Sequence, residues 1–376
     1  MIYLDSAATT APRREVLEAM WPYFTGDFGN PSSHHELGES AARGLSAARA
    51  AVAAWLGCRA SEVIFTSGGT ESDNLAIKGI ALANPRGRHI VTSAIEHEAV
   101  LESCRYLERH HGFEVTVVGV DGQGMLDLAA FEAALRPDTT LCTVMLANNE
   151  IGAVQPIARI AQLAHAHGIP VHTDAVQAAG WLDLDVGRLG VDALSLSGHK
   201  LGAPKGIGVL FVRGRIPLEP VIHGGGQERD RRSGTENVAA AVGLATAIGI
   251  AEPPADHVAA LRDAFIAEVL AAVPDAVLTG PARERLPGNA SFCFPGTSGE
   301  SILLELGERG IVCSAGSACA VGADEPSHVL LALGIEPAVA QTAVRFSLDA
   351  ATTAGQLHTV VVELAAASSK VRALGR

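Results

Sequence analysis

The chain reads as an α/β protein, and three observations in its 376 residues predict that class. Short β-branched runs alternate with segments of helical periodicity through the first two-thirds, which implies a largely parallel sheet covered by helices on both faces. Hydrophobic residues make up 48% of the chain but aromatic ones only 4%, so the core is packed with Ala, Val and Leu, and 40 glycines imply many tight turns. After Glu252-Pro253-Pro254 the pattern changes to helix, strand and loop, as at the start of a second, smaller domain. The expected division is a large domain over 16–252 and a smaller α+β domain made from 253–376 joined by 1–15.

The elements follow in order. Residues 63–66, Val-Ile-Phe-Thr, read as a strand, with a helix from about Thr70. Residues 89–92 are the next strand, and Val100, Leu101, Cys104 and Leu107 mark one apolar face of the helix after it. Residues 114–118, 140–146, 171–173, 193–196 and 208–212 extend the strand set. Between two of these, Ile157, Ile160, Ala161 and Ala164 share a helical face. In the last third, 289–294 and 344–348 look like strands, and Leu357, Val360, Val361 and Leu364 mark a closing helix.

Charge and composition exclude several roles. A net charge of −13 argues against a general nucleic-acid surface, whose footprint is clustered positive charge. No basic, apolar leader opens the sequence and no apolar run reaches membrane-spanning length, so a soluble protein of the cytoplasm is expected. The six cysteines are scattered without a CxxC pair, which fits reduced thiols and leaves room for one reactive one.

The chemistry is concentrated at the ends of the expected strands. Lys200 stands in Ser197-Gly198-His199-Lys200-Leu201-Gly202-Ala203-Pro204-Lys205-Gly206, behind small and polar residues that leave room for a bound group. An amine so placed can form a Schiff base with an aldehyde, the way an enzyme tethers pyridoxal phosphate. Asp174, in His172-Thr173-Asp174, supplies the acid such a cofactor needs beside its pyridinium nitrogen. Thr66-Ser67-Gly68-Gly69-Thr70-Glu71-Ser72 joins a strand to a helix; it reads either as a phosphate cradle built on Gly69 and Thr70 or as an ordinary turn with Thr70 as N-cap. Ser197 and His199 could donate to the same phosphate. His97 follows a strand directly and reads as a ring that stacks and moves protons, or as a surface histidine at a helix start. Asn148-Asn149-Glu150 lies at the same sheet edge. The loop from His223 to Thr235, rich in Gly and Arg, reads as an interface element bringing Thr235 to a phosphate, or as a flexible surface loop. Cys319, in Ser317-Ala318-Cys319-Ala320, sits among small residues that favour an accessible thiol, whereas Cys313 after Gly310-Ile311-Val312 reads as structural.

Taken together these motifs resemble a group I cysteine desulfurase, in the class V aminotransferase family of fold type I pyridoxal-phosphate enzymes. The resemblance runs from Tyr3-Leu4-Asp5-Ser6-Ala7-Ala8 to Val344-Arg345-Phe346-Ser347, and includes Phe28-Gly29-Asn30-Pro31, Asn148-Asn149-Glu150-Ile151-Gly152, the lysine motif and Ser317-Ala318-Cys319. It implies a seven-stranded, mostly parallel sheet and a smaller C-terminal domain carrying a mobile catalytic loop at about 313–326. It further implies that Lys200 tethers pyridoxal 5′-phosphate, Asp174 pairs with its ring nitrogen, Gln177 binds its O3′, His97 stacks on it and Asn149 contacts it. Gly69, Thr70, Ser197, His199 and, from the other subunit of a homodimer, Thr235 would hold the phosphate. Arg345 would clamp the carboxylate of L-cysteine, assisted by Asn30, and Cys319 would take the sulfur as a persulfide and pass it to a protein acceptor, leaving L-alanine. Iron–sulfur assembly, tRNA thiolation, nitrogenase maturation and DNA sulfur modification are the pathways such enzymes serve. No metal is expected. Ala320, Val321, Gly202 and Leu146 depart from residues common in the family. A selenocysteine lyase or other C–S lyase using the same site is the competing reading.

Overall fold

The computed structural model describes residues 1–83, 86–250, 255–315 and 325–374. Among the described residues twelve strands form three sheets: β1 (Ile2–Tyr3), β2 (Val63–Thr66), β3 (His89–Ser93), β4 (Glu114–Val118), β5 (Thr139–Thr143), β6 (Val171–Asp174), β7 (Ala193–Ser197), β8 (Gly208–Val212), β9 (Val277–Leu278), β10 (Asn289–Cys293), β11 (Ile311–Val312) and β12 (Ala343–Ser347). The seven-stranded sheet has the order β2-β8-β7-β6-β5-β3-β4. Its neighbours are parallel except for β8, which runs antiparallel to both β2 and β7.

Successive residues of a strand point to opposite faces, and both faces of this sheet are apolar. Ile64, Ile90, Leu141, Ala193 and Leu210 pack with Leu75, Ile77 and Ile80 of the helix Gly69–Ala83. Val63, Phe65, Val91, Cys142, Val171, Leu194 and Val209 pack on the other side with Leu45 and Val52 of the helix Glu36–Trp55 and Leu244 of Val238–Gly249. The sequence expectation of a strand over 140–146 is trimmed: the regular ladder ends at Thr143. The N–H groups of Val144 and Leu146 still bond to the carbonyls of His172 and Asp174, so the chain keeps running beside β6 to the sheet edge.

A second core lies around the antiparallel sheet β12-β10-β9 and the helices Ala255–Ala272, Gly299–Glu308 and Ala354–Leu374. Phe265 meets Phe292 and Phe346 edge-on, at ring-centroid distances of 6.3 and 5.3 Å. Such pairs contribute about 0.5–1.5 kcal/mol beyond the area they bury. The N-terminal residues belong to this core: β1 pairs in parallel with β11, and Asp5 bridges to Ser347 of β12. The chain then crosses to the large sheet, where Thr10 bonds to the turn after β7.

Candidate active site

Five parallel strands deliver polar residues to one edge of the sheet, the carboxyl ends where open α/β sheets bind ligands. Thr66 closes β2, Ser93 closes β3, Asp174 closes β6 and Ser197 closes β7, while the continuation of β5 carries Asn148 and Asn149. Alternation puts His172, Asp174, Ser195 and Ser197 on the face covered by the helix Gly69–Ala83.

Lys200 ends a single 3₁₀ turn, Gly198–Lys200. Its amine donates to the carbonyls of Ala7 and Ala8, the latter at 2.8 Å. Gln177 donates to the same Ala7 carbonyl at 2.9 Å, so one backbone oxygen gathers both side chains. Thr9 and Thr10 clasp the turn from the same N-terminal segment. Thr9 Oγ1 is 3.1 Å from His199 Nδ1, and Thr10 Oγ1 donates to the His199 carbonyl at 2.8 Å. Burial and the neighbouring Lys200 push the His199 imidazole down to about 4, so it is neutral near pH 7.

Asp174 is 6% exposed and accepts from the Val176 N–H at 2.8 Å. Burial raises its carboxyl, and the charges of His97 and Lys200 draw it back toward the ionised form. His97 is half-buried and caps the helix Glu98–His111 through Nδ1, which accepts from the Ala99 N–H at 3.1 Å. An accepting Nδ1 puts the proton of the neutral ring on Nε2. Nδ1 thus serves the helix, and the ring stands half-buried just beyond the end of β3.

The glycine turn settles one alternative. The helix begins at Gly69, so Thr70 lies within its first turn and is not the N-cap. A Cβ on Gly69 would stand 2.7 Å from Val176 Cγ2, and one on Gly208 would stand 2.6 Å from the Gly68 backbone. The turn is therefore pressed against Asp174's own loop, with the helix N-terminus and its unpaired N–H groups turned to the same edge as Lys200.

Arg345, on β12, reaches this edge from the second core. It is 1% exposed, donates to the Asn149 carbonyl at 2.9 Å and to Asp5 Oδ1 at 3.0 Å, and its Nε has no hydrogen-bond partner among the described residues. A buried guanidinium with an orphaned donor is suited to receive a carboxylate. Cys313 stands nearby; burial and Asp5 push its thiol up to about 12, so it stays protonated and is a poor nucleophile. Cys319 lies outside the described residues.

Two expected residues are not brought to this cluster within the chain. Asn30 is exposed, and its side chain accepts from the Ser32 N–H at 2.9 Å. Thr235 is also exposed, although its loop reaches the glycine turn through Arg232, which pairs with Glu71 at 2.8 Å. Three contributors escaped the sequence reading. The Ala7 and Ala8 carbonyls and the Asp5 carboxylate act through backbone placement or long-range pairing. The third is Glu96, fully buried, accepting from Ser93 Oγ at 2.5 Å and the Met145 N–H at 2.9 Å while Oε2 has no partner among the described residues.

An amine, a buried carboxylate, a glycine-opened helix N-terminus and an orphaned guanidinium donor form the set that a phosphorylated pyridine aldehyde and an amino acid require. The sequence pattern of the aminotransferase class-V family matches residues 2–360. The chain is 45% identical over 378 residues to the cysteine desulfurase IscS of Dictyoglomus turgidum, spanning 99% of this chain and 96% of that one. A solved NifS-like protein superimposes with a TM-score of 0.91 at 36% identity, over 98% of this chain and 99% of that one. The structure of SspA in complex with cysteine gives a TM-score of 0.82 at 38% identity, over 93% and 99% of the two chains.

Proposed function

The chain belongs to the aminotransferase class-V family, and we propose that within it the protein is a cysteine desulfurase that uses pyridoxal 5′-phosphate. The observation that carries this reading is the convergence of Lys200, Asp174 and the incompletely bonded Arg345 at one sheet edge, in a chain alike from end to end to proteins bearing that name. When bound, the cofactor would supply an electron sink that lets the bonds at the substrate's Cα and Cβ break.

The chain's own residues do the rest. Lys200 would tether the cofactor and would take the substrate's Cα proton. Asp174 would keep the ring nitrogen charged, Gln177 would bind O3′ and His97 would stack on the ring, with Asn149 also contacting the cofactor. Gly69, Thr70, Ser197 and His199 hold the phosphate at the helix N-terminus. Arg345 receives the substrate carboxylate, with Asn30 at the rim. The Cys319 thiolate attacks the sulfur of L-cysteine: the Cβ–S bond breaks, an S–S bond forms on Cys319, and Cβ gains a proton to give L-alanine. A protein acceptor then takes the sulfur.

The smaller domain is residues 253–376 with 1–15, supported by the pairing of β1 with β11, and the larger is 16–252. The working unit is a homodimer, a reading supported by Trp21, Phe24 and Phe28, large apolar side chains that are 66%, 58% and 63% exposed within eight residues of sequence. A reducing cytoplasm suits the five described cysteines, all of them free. No helix among the described residues is long and apolar enough to cross a membrane.

The test is to incubate the cofactor-loaded protein with L-cysteine and a reductant and to quantify sulfide and alanine. Equimolar products, with sulfide lost in Cys319→Ser while that variant keeps its visible absorbance, are expected. Equal turnover by Cys319→Ser would replace this reading with a C–S or selenocysteine lyase.

A further inference from the structure

The loop between Ile222 and Thr235 is bent in a way that side chains resist. Glu228, Arg229 and Asp230 follow one another with φ of 48°, 61° and 63°. In that region Cβ crowds the following carbonyl oxygen, and three non-glycine residues in succession persist only where the surroundings hold them. The holding group is an ion pair that bridges 179 residues of sequence. Glu228, 4% exposed, accepts from both terminal nitrogens of Arg49 at 2.6 and 2.8 Å and from the Phe65 N–H at 3.3 Å. Arg49 also donates to the Val63 carbonyl at 2.9 Å, and its guanidinium lies 4.8 Å above the Phe65 ring. Arg229 donates to that same carbonyl at 2.5 Å. The turn is therefore riveted to β2, the edge strand of the large sheet.

Beyond the turn the loop closes on itself. The Gly234 N–H bonds to Gln227 Oε1 at 2.9 Å and the Ser233 N–H to the Ile222 carbonyl at 3.1 Å. Arg232 then reaches Glu71, next to Thr70, at 2.8 and 3.4 Å. A buried ion pair stabilises a fold little more than an apolar pair of the same volume would, so stability alone does not account for this arrangement. What it does accomplish is directional: Thr235 is delivered to the surface, exposed, three residues beyond the Arg232–Glu71 pair.

We propose that Arg49 and Glu228 are positioning residues, the lock of a strained bracket that presents Thr235 to the cofactor phosphate held by a second copy of the chain. The inference rests on the pyridoxal-phosphate reading above. Without the lock, the three residues relax toward right-handed conformations and Thr235 loses its fixed direction.

The test uses the cofactor-loaded protein and follows loss of visible absorbance on dialysis, alongside the thermal midpoint of the cofactor-free protein. In Arg49→Met combined with Glu228→Leu the midpoint is expected to stay near that of the wild type. Cofactor loss should quicken by about ten-fold, matching Thr235→Ala, and adding Thr235→Ala should bring no further change. Arg232→Gln, which opens no buried charge, is a second variant for the case in which the double change misfolds, and it is expected to quicken loss and likewise to be non-additive with Thr235→Ala. Unchanged loss in these variants, or full additivity with Thr235→Ala, overturns the bracket. A wild-type protein that takes up no pyridoxal phosphate overturns the parent reading as well, so the two failures are distinguishable.

Discussion

Glu96 shows how a buried side chain sets a pH dependence. Burial, reinforced by Asp174, pushes its carboxyl up to about 8 against the Ser93 and Met145 hydrogen bonds. A carboxyl that keeps its proton in the fold, but loses it near 4.5 when unfolded, makes the folded state bind more protons; stability is then full below about 4.5 and falls as pH rises toward 8. His172 works in the opposite sense, since burial holds it down to about 3 and its contribution grows as pH rises to the unfolded value of 6.5. Between pH 6.5 and 8 the histidine term is flat and the Glu96 term still declines. Thermal midpoints of wild type and Glu96→Gln across that interval should therefore diverge in slope, the variant being flatter, because its amide oxygen keeps both accepted bonds. Parallel slopes would show that Glu96 is ionised in the fold. At Arg345, replacement by Lys preserves the charge but not the planar fork that serves Asn149, Asp5 and an incoming carboxylate at once. The expected outcome in steady-state kinetics is a rise in KM for L-cysteine on the order of ten- to a hundred-fold, with cofactor absorbance unchanged.

At the scale of elements, the junction between β2 and the helix Gly69–Ala83 is closely packed. Gly69→Ala places a methyl 2.7 Å from Val176 Cγ2, and overpacking of that kind costs about 1–3 kcal/mol. Cofactor affinity should fall in Gly69→Ala and recover in Gly69→Ala with Val176→Ala, which removes the opposing methyl. Failure of the second change to rescue the first would place the defect elsewhere. This junction was readable in the sequence because glycine and a β-branched strand are both local signals, as were the strand ends that carry Asp174 and Ser197 and the turn that carries Lys200. The limits were less legible: the helix starts at Gly69, which removes the N-cap alternative for Thr70, and the strand expected to reach 146 ends at 143, since caps and ladder ends depend on neighbours that sequence periodicity does not contain. The bracket residues were even less legible. The loop from His223 onward announces itself by composition, but nothing in Arg49 or Glu228 marks them as partners across so long a separation.

For the whole molecule, the exposed side chains of Trp21, Phe24 and Phe28 and the exposed Thr235 allow the proposed homodimer to be tested. Trp21→Asp with Phe24→Asp should shift sedimentation from dimer to monomer without unfolding, because both side chains are exposed in the single chain. The monomer should also hold pyridoxal phosphate more weakly, since it lacks the second copy's Thr235. A dimer that survives both changes would move the interface to another face. The α/β class and the change of pattern near Pro253 and Pro254 were legible because periodicity is repeated over many residues. The parts of the site made by backbone carbonyls were not, because any residue type can supply them.

The crossing of the N-terminal segment has a consequence for the order of assembly. Residues 2–5 pair with β11 and β12, and residues 7–10 fasten Gln177, His199 and Lys200. During synthesis the large sheet can be completed once β8 has emerged, whereas the segment that closes over Lys200 must wait for residues 311–347. Residues made early are thus seated late, and the nascent chain on the ribosome carries its lysine for some time before it carries a finished site.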